Sequence, residues 1–341
     1  MGPQRDLGFA RGDPKRRAII FTTDAGFLMP TVSVISQIIE QRRVMKQADI
    51  ILFLVDIDQD GMMRIADALA DIPVSIIRVP NQLLEVPATV KFNKTHVPRS
   101  TLARLAVGEL IAEDYEHILY IDGDVQILGD LSSLVEHDVL PGHIASVNEA
   151  LWLYEGDSGS HWKTMASYLA GLGISDVRSY FNAGVLAFRR STWLEKAREA
   201  REFYFANSEI CRYHDQSALN VVFHGRREIL SPLYNFSSGY AELGISEQLS
   251  PRIVHFTGAA KPWFSRCHPW NGRFLAHYAA LAARRPVLTS FAAQRSAAEI
   301  AAIERDVEAR RRKAMLRTPW RAPLRRWLLR RYMATTPFAC S

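Results

Sequence analysis

The sequence has little cysteine and no long apolar run. The first argues against a disulfide-rich or cysteine-ligated metal protein, and the second against a membrane-spanning one. Three cysteines, Cys211, Cys267 and Cys340, lie far apart with no Cys-x-x-Cys spacing, which indicates a reducing compartment. No stretch reaches the roughly 18 apolar residues of a membrane-spanning helix. The N-terminal "MGPQRDLGFARGDPKRR" has no apolar stretch, so a signal peptide is not expected there.

Acidic residues are missing from the C-terminal end of the chain. From residue 309 onward there are ten Lys or Arg and no Asp or Glu, whereas the whole chain of 341 residues has a formal net charge of +6. Six minus ten leaves −4 for residues 1–308, so the body is mildly acidic. A basic tail on an acidic body predicts a local anionic partner and argues against nucleic acid.

The rest of the composition is that of a globular protein, with 48% hydrophobic and 23% charged residues. Strand patterns at 17–24, 49–58, 73–79 and 117–121 alternate with helical spacing at 31–47, 62–72 and 100–114. This alternation predicts a mostly parallel sheet covered on both faces. Further strands are predicted at 143–150, 179–188 and 252–258, and helices at 161–173, 191–207, 215–225, 273–285, 296–316 and 324–333.

Two carboxylates follow the strand pattern that ends at Ile121. Asp122 and Asp124 are separated only by Gly123. Ligands of open α/β sheets gather beyond the carboxyl ends of strands, and residues two apart on an extended segment point to the same side. Two carboxylates suit a hard divalent cation, and the glycine permits an unusual backbone angle or a close ligand. A metal beside a phosphorylated ligand is predicted, with a plain Asp-Gly-Asp turn as the alternative.

A second apolar strand pattern delivers His255, followed by Gly258 and Lys261. Imidazole is a common ligand of manganese-like ions, and a glycine with free amides followed by a lysine suits a diphosphate. The alternatives are a hydrogen-bonded core histidine and a solvated surface lysine. Their combination with the paired aspartates favours the metal and diphosphate interpretation.

Four motifs, in order, resemble those of the family-eight glycosyltransferases. They are "LYIDGDV" at 119–125, "FNAGVLAFRR" at 181–190, "HDQSALN" at 214–220 and "VHFTGAAKPW" at 254–263. These retaining enzymes of GT-A fold include bacterial lipopolysaccharide galactosyl- and glucosyltransferases and glycogenin. The resemblance covers 17–270 and implies a Rossmann-like mixed sheet flanked by helices. We therefore expect a flexible N-terminus at 1–16, a GT-A catalytic domain at 17–272 and a helical, basic region at 273–341.

The resemblance implies a metal and nucleotide site. The Asp-x-Asp motif would hold Mn²⁺, with Mg²⁺ as the alternative, and the ion would bridge the diphosphate of a UDP-sugar. The implied metal ligands are Asp122, Asp124 and His255. The implied nucleotide contacts are Thr22, Asp24, Arg104, Gly123, Gly258 and Lys261. Among these, Asp24 corresponds to an acid that bonds uracil, and Arg104 to a support of the diphosphate or of the motif loop.

At 25–27, Ala, Gly and Phe replace the polar and ring-bearing residues usual in the family. The details of base and ribose recognition are therefore expected to differ from those of the family.

The resemblance also implies residues for the sugar. Asn182, Ala183 and Gly184 would face the donor, and Asn148 stands where many relatives carry an aspartate that binds donor hydroxyls. An amide both donates and accepts, so the donor sugar can differ.

Asp215 and Gln216 match the catalytic pair beside the sugar, with helix capping as the alternative role for Asp215. His96, in a loop at 83–100, is expected near the acceptor.

The implied function is retaining transfer of glucose or galactose from a UDP-sugar to a glycan or lipid-linked acceptor, in lipopolysaccharide or other surface polysaccharide synthesis. Two other classes stay open: a catalytically decayed nucleotide-sugar binder at the membrane surface, and a metal-dependent phosphatase or nuclease. The phosphatase or nuclease would need further carboxylates for a second metal, and no other acidic pair follows a clear strand.

The basic tail predicts a helix that lies on a membrane. Leu324, Trp327 and Leu328 form one apolar stripe, with Arg325 and Arg330 mostly off it. Arginines beside an aromatic-rich stripe are typical of an interfacial helix. We expect a cytoplasmic protein associated with the anionic inner face of the membrane, with a solvated, disordered tail as the alternative.

Overall fold

A computed structural model describes residues 16–88, 90, 99–157, 159–292, 295–317 and 321–340. The strands are β1 Arg16–Thr23, β2 Ala48–Leu54, β3 Ser75–Arg78, β4 Tyr115–Ile121, β5 Val125–Ile127, β6 Ile144–Asn148, β7 Phe181–Arg189, β8 Arg227–Ile229, β9 Phe236–Ser237 and β10 Ile253–His255. The α-helices are α1 Leu28–Ile39, α2 Arg42–Met45, α3 Gln59–Ala68, α4 Arg99–Ala106, α5 Ser132–Glu136, α6 Ser160–Gly171, α7 Arg190–Ala206, α8 His214–Val222, α9 Ser238–Ala241, α10 Ser246–Leu249, α11 Leu275–Arg284, α12 Pro286–Thr289, α13 Ala297–Arg317 and α14 Arg321–Thr335.

The described residues form a seven-stranded mixed sheet in the order β3-β2-β1-β4-β7-β6-β8. The first four strands in that order are parallel to one another, and β7 runs antiparallel to both β4 and β6. Along β1, Ile19 and Phe21 join one apolar cluster whereas Ala18 and Ile20 join the other. The strand is continuously apolar because helices cover both faces of the sheet. The predicted mixed α/β architecture is confirmed.

A second sheet of three strands, β5-β10-β9, adjoins the carboxyl end of β4. Strand β4 ends at Ile121 in the large sheet and β5 begins at Val125 in the small one, so the Asp-Gly-Asp segment connects the two sheets. The amide of Asp122 donates to the Gly184 carbonyl at 2.8 Å, and the Phe256 amide donates to the Asp124 carbonyl at 2.9 Å. The segment is a turn. The prediction of an extended segment is therefore wrong, and the turn itself directs the two carboxylates.

Most helix boundaries follow the predicted pattern, but the helices predicted at 31–47 and 100–114 do not. The second is α-helical only to Ala106 and continues as a 3-10 helix over Val107–Leu110. The single helix predicted at 31–47 is two, α1 and α2, because Gln41 leaves the helical conformation with ψ near 86°. Strands β5, β8 and β9 were not predicted. Each has two or three residues, too few to show a period, and each is defined by partners distant in the sequence.

The C-terminal helices pack on the body of the protein. Leu329 of α14 is fully buried, and the ring of Tyr332 lies 4.9 Å from that of Trp152. Arg325 donates to the Leu153 carbonyl at 3.1 Å and Arg326 to the Leu243 carbonyl at 2.6 Å. Arg330 is exposed but also donates to the side chain of Gln248, so all three arginines contact the body.

The apolar stripe of α14 is only partly available. Leu324 is 45% and Trp327 51% exposed, whereas Leu328 packs partly against the core. Among the described residues, none of the helices combines the length and apolar character needed to cross a bilayer.

Candidate active site

Asp122, Asp124 and His255 converge at the junction of the two sheets. One ligand atom from each lies within 4.8 Å of the others. His255 is the last residue of β10 and pairs with Val125 at the start of β5, so the antiparallel register places the imidazole beside Asp124. Its Nε2 lies 3.3 Å from an Asp124 oxygen and 3.8 Å from an Asp122 oxygen. Two carboxylates and one imidazole nitrogen fit a manganese-like divalent cation.

Arg104 of α4 is buried and holds the acidic side of the site. Its guanidinium lies 2.8 Å from Asp122 and 2.9 Å from Asp215, and it also donates to the Ala183 carbonyl. Tyr120 donates a further hydrogen bond of 2.8 Å to the Asp122 oxygen that Arg104 contacts. The resemblance implies two roles for Arg104, contact with the diphosphate and support of the motif loop. Its position favours the second, because the guanidinium is already paired with two carboxylates.

Lys261 lies on the other side of the carboxylate pair. Its ammonium group is 2.7 Å from Asp124, and that side chain is only 12% exposed. Burial would raise the pKa of Asp124, but Lys261 and His255 outweigh burial and lower that pKa below its ordinary value. Gly258 has a φ of +94°, and a Cβ there would have no heavy atom within 4 Å. The glycine is therefore required by its left-handed backbone and not by a close neighbour.

A pocket of about 180 Å³ adjoins Asp122 and His255. Its walls include Asp122, Asn182, Ala183, Asp215, Gln216 and His255. Gln216 accepts a hydrogen bond of 3.1 Å from the Ala183 amide and donates one of 3.3 Å to Tyr180. Burial raises the pKa of Asp215 to about 6, against the opposing effect of Arg104. The pocket therefore brings Asn182, Ala183, Asp215 and Gln216 beside two residues of the candidate metal site.

Two glycines are required by packing. A Cβ on Gly123 would lie 2.0 Å from Oγ1 of Thr31 in α1, although its φ is negative. A Cβ on Gly184 would lie 2.2 Å from Cε1 of His255. The close neighbours that demand these glycines are thus a helix and the imidazole ring. Of the two reasons expected for Gly123, an unusual backbone angle and a close ligand, the first is not observed.

Asp24 and Thr22, predicted as nucleotide contacts, do not line this pocket. Asp24 accepts from the amides of Gly26 and Phe27 and from the Ser100 hydroxyl at 2.7 Å. Thr22 is hydrogen-bonded to Tyr120, which connects the end of β1 to Asp122.

The side-chain oxygen of Asn148 accepts from Arg227, and Asn148 does not line the described pocket. His96 lies outside the described residues.

Several residues of the site were not identified from the sequence. Asn235 contacts His255 Nδ1 at 2.9 Å, and Glu149 accepts from Asn182 at 2.8 Å. Arg212 and Tyr213 complete the pocket wall beside α8. Tyr120 lies within the motif at 119–125 and Tyr213 directly precedes the motif at 214–220, and those positions were the available signal. Nothing in the local sequence pattern distinguishes Asn235 or Glu149.

The large mixed sheet, with an acid pair at the exit of a central strand beside a pocket, is the architecture of a GT-A glycosyltransferase. Residues 18–267 match the family model of Glycosyl transferase family 8, so the chain belongs to that family. It is 24% identical over 256 residues to General stress protein A of Bacillus subtilis (strain 168), covering 68% of this chain and 83% of that protein. It is 26% identical over 271 residues to the lipopolysaccharide 1,2-glucosyltransferase of Escherichia coli (strain K12), covering 74% and 73%.

Solved structures agree in fold. The galactosyltransferase LgtC, crystallised with donor and acceptor sugar analogs, superposes with a TM-score of 0.61 at 21% identity. The superposition covers 78% of this chain and 95% of that one. The predicted family and GT-A fold are confirmed, and the chain is a glycosyltransferase related to lipopolysaccharide glucosyl- and galactosyltransferases.

Proposed function

We propose that the protein transfers glucose or galactose, with retention, from a UDP-sugar to a glycan acceptor of a surface polysaccharide such as lipopolysaccharide. The observation that carries the proposal is the convergence of Asp122, Asp124 and His255 beside a pocket lined by Asn182 and Gln216. A sugar nucleotide has a diphosphate next to a hexose. This site has a candidate metal cluster and a lysine, which suit a diphosphate, next to a polar pocket that suits a hexose.

The leaving diphosphate would be bound at the junction of the two sheets. Asp122, Asp124 and His255 would hold Mn²⁺ or Mg²⁺, and the cation would supply Lewis-acid stabilisation of the departing phosphate oxygens. Lys261 lies beside Asp124, where its ammonium group would bind those oxygens, and the backbone amide of Gly258 would be a second donor. Asp24 at the end of β1 would contact the base, and Thr22 and Gly123 would border the nucleotide.

The hexose would occupy the pocket between β7 and α8. Asn182 and Ala183, which line the pocket, would form the floor together with the adjoining Gly184, and Gln216 would contact the sugar from α8. Asp215 forms an ion pair with the buried Arg104, which holds the carboxylate against the protein. This favours departure of the diphosphate and arrival of the acceptor on one face of the sugar, rather than attack by Asp215 on the opposite face.

A donor screen tests the proposal. Purified protein would be given UDP-glucose, UDP-galactose and their N-acetyl forms, with and without Mn²⁺, and release of UDP measured. We expect release with one of the hexose donors only when Mn²⁺ is present, and loss of at least ~100-fold in Asp124→Ala. Asp71→Ala is the matched control, because Asp71 pairs with Arg285 on the surface.

The screen also separates the alternatives. Metal-dependent release of phosphate without donor specificity would favour a phosphatase. UDP-sugar binding without turnover would favour a decayed binder. Equal activity in a folded Asp124→Ala protein would refute the metal assignment.

We further propose that α14 associates with an anionic membrane on the cytoplasmic face, where a lipid-linked acceptor would lie. The supporting observations are the exposed Leu324 and Trp327 and the guanidinium of Arg331, 5.2 Å from the Trp327 ring. Basic residues near an anionic leaflet contribute about 1 kcal/mol each, so association would be reversible.

Flotation with vesicles containing phosphatidylglycerol at low salt tests this association. Trp327→Ser is expected to reduce binding, and Leu140→Ser, which replaces a residue 56% exposed elsewhere, is expected to leave it intact. No binding by the unaltered protein would refute the proposal. Point substitutions are preferable to truncation, because removal of α14 would also remove the buried Leu329.

A further inference from the structure

A chain of buried hydrogen bonds leads from His255 away from the metal site. Nδ1 of His255 lies 2.9 Å from Oδ1 of Asn235, and Nδ2 of Asn235 lies 2.9 Å from Oδ1 of Asn182. Nδ2 of Asn182 lies 2.8 Å from Oε2 of Glu149. Asn235 is 0% exposed, His255 4% and Asn182 5%, so solvent has little access to the contacts between these three side chains.

Two groups fix the direction of every hydrogen bond in this chain, because one can only donate and the other can only accept. The Gly184 amide, which can only donate, lies 2.9 Å from one side-chain atom of Asn182, so that atom is the oxygen. The Glu149 carboxylate accepts from the other atom, which is therefore the nitrogen. Because Asn182 presents its oxygen to Asn235, Asn235 must donate with its nitrogen and turn its own oxygen toward His255.

The proton of His255 is fixed as a result. An amide oxygen only accepts, so Nδ1 of His255 must carry the hydrogen. In the neutral ring the lone pair is then on Nε2, the atom that faces the two carboxylates. A neutral imidazole in water populates both tautomers, and only this one can present Nε2 to a cation.

We propose that Asn235 is a positioning residue that selects the Nε2 lone pair of His255 for a divalent cation, and that Asn182 and Glu149 orient its amide. The proposal rests on the metal site of the proposed function. Hydrogen-bond partners of ligating histidines typically change metal affinity by about 10- to 100-fold when removed. Glu149 terminates the chain firmly, because its second oxygen accepts from the Ala150 amide at 3.0 Å.

Two substitutions at one position distinguish tautomer selection from simple packing. Asn235→Leu keeps the branching and the number of side-chain heavy atoms, although it is bulkier, and it removes both hydrogen bonds. Asn235→Asp keeps an acceptor for Nδ1 and loses the donor to Asn182. The control is Asn220→Leu, since Asn220 is 2% exposed and bonds the backbone of Phe181 on both sides.

The first measurement uses metal-free, ¹⁵N-histidine-labelled protein. Two-bond ¹⁵N–¹H spectra, recorded where the ring is neutral and assigned with His255→Gln, report which nitrogen carries hydrogen. We expect an Nδ1–H ring in the unaltered protein, in Asn235→Asp and in Asn220→Leu, and a shift toward Nε2–H in Asn235→Leu. An Nε2–H ring in the unaltered protein, or no shift in Asn235→Leu, would overturn the proposal.

The second measurement is Mn²⁺ affinity by titration calorimetry. We expect about 10- to 100-fold weaker binding in Asn235→Leu and unchanged binding in Asn220→Leu. Equal affinity of Asn235→Leu and the unaltered protein would overturn the positioning role alone. No Mn²⁺ binding by the unaltered protein would overturn the metal site itself and, with it, this proposal. If Asn235→Leu fails to fold, the spectrum of Asn235→Asp decides, because loss of Nδ1–H there contradicts the selection.

Discussion

Gly123→Ala would force the metal-site turn against helix α1. The added Cβ would lie 2.0 Å from Oγ1 of Thr31 and 3.1 Å from its Cβ, well inside contact distance. Neither side yields readily. Thr31 is fully buried, and the turn is fixed at both ends by backbone hydrogen bonds of Asp122 and Asp124. Overpacking of this kind costs about 1–3 kcal/mol, and the severity of the overlap places the expected loss near ~3 kcal/mol.

The same geometry predicts a partial rescue. Thr31→Ala removes Oγ1, the closest atom, together with its hydrogen bonds to the Phe27 carbonyl and the Thr23 hydroxyl. That single change is expected to cost about 1–2 kcal/mol. Combined with Gly123→Ala it also removes the worst overlap, so the double variant should be more stable than the sum of the single losses by about 1–2 kcal/mol.

Urea unfolding of the four proteins in the cycle, followed by fluorescence, measures this coupling. Mn²⁺ titration of the same proteins reports whether the turn still directs both carboxylates, and we expect affinity to fall in Gly123→Ala and to recover partly in the double variant. Additive losses of stability, or an unaffected Gly123→Ala protein, would refute the claim that α1 is the reason for this glycine.

Three further outcomes follow from the contacts described. Lys261→Ala should weaken UDP binding by about 10- to 100-fold, whereas Gln216→Ala should impair turnover more than UDP binding; calorimetry and initial rates separate the two, and equal losses of affinity would contradict their placement. Gly184→Ala should reduce Mn²⁺ affinity, because its Cβ would displace the His255 ring, and unchanged affinity would exclude that contact. Leu329→Ala should lower the free energy of unfolding by about 2–5 kcal/mol in urea denaturation, and a loss under ~1 kcal/mol would mean that α14 is not packed on the core in solution.

The parts of the fold that were predictable are those with a strong local pattern of apolar residues. Strands buried on both faces contain continuous apolar runs, at 18–21 in β1 and 50–54 in β2, and the helices between strands carry apolar residues at helical spacing. In the small sheet only β10 has an apolar pattern that predicts it, whereas β5 and β9 have two or three residues and are defined by pairing with β10. Without β5, the sequence leaves both an extended segment and a turn open for Asp-Gly-Asp.

In the C-terminal tail, the helix was predictable from the sequence but its packing on the body was not. Amphipathic spacing predicted α14 as a helix, with Leu324, Trp327 and Leu328 as its apolar face. The pattern does not state which apolar residues meet the body, and in the structure Leu329 and Tyr332 do. Arg325 and Arg326, which contribute to the basic charge of the tail, donate to carbonyls of the body. Their acceptors lie more than 80 positions away in the sequence, so the local pattern does not reveal these contacts.

The motif residues of the site were identified from the sequence, but the electrostatic balance around them was not. Three carboxylates, Asp122, Asp124 and Asp215, face two permanent cations, Arg104 and Lys261, which leaves a formal charge of −1 with a neutral imidazole. A divalent cation would change that charge to +1, and the site would then attract an anionic diphosphate. Arg104 matters to this balance because it pairs with Asp122 and Asp215 at once and offsets one of the three negative charges. In the proposed function, this buried arginine would allow a site with three acids to bind a cation and then an anion.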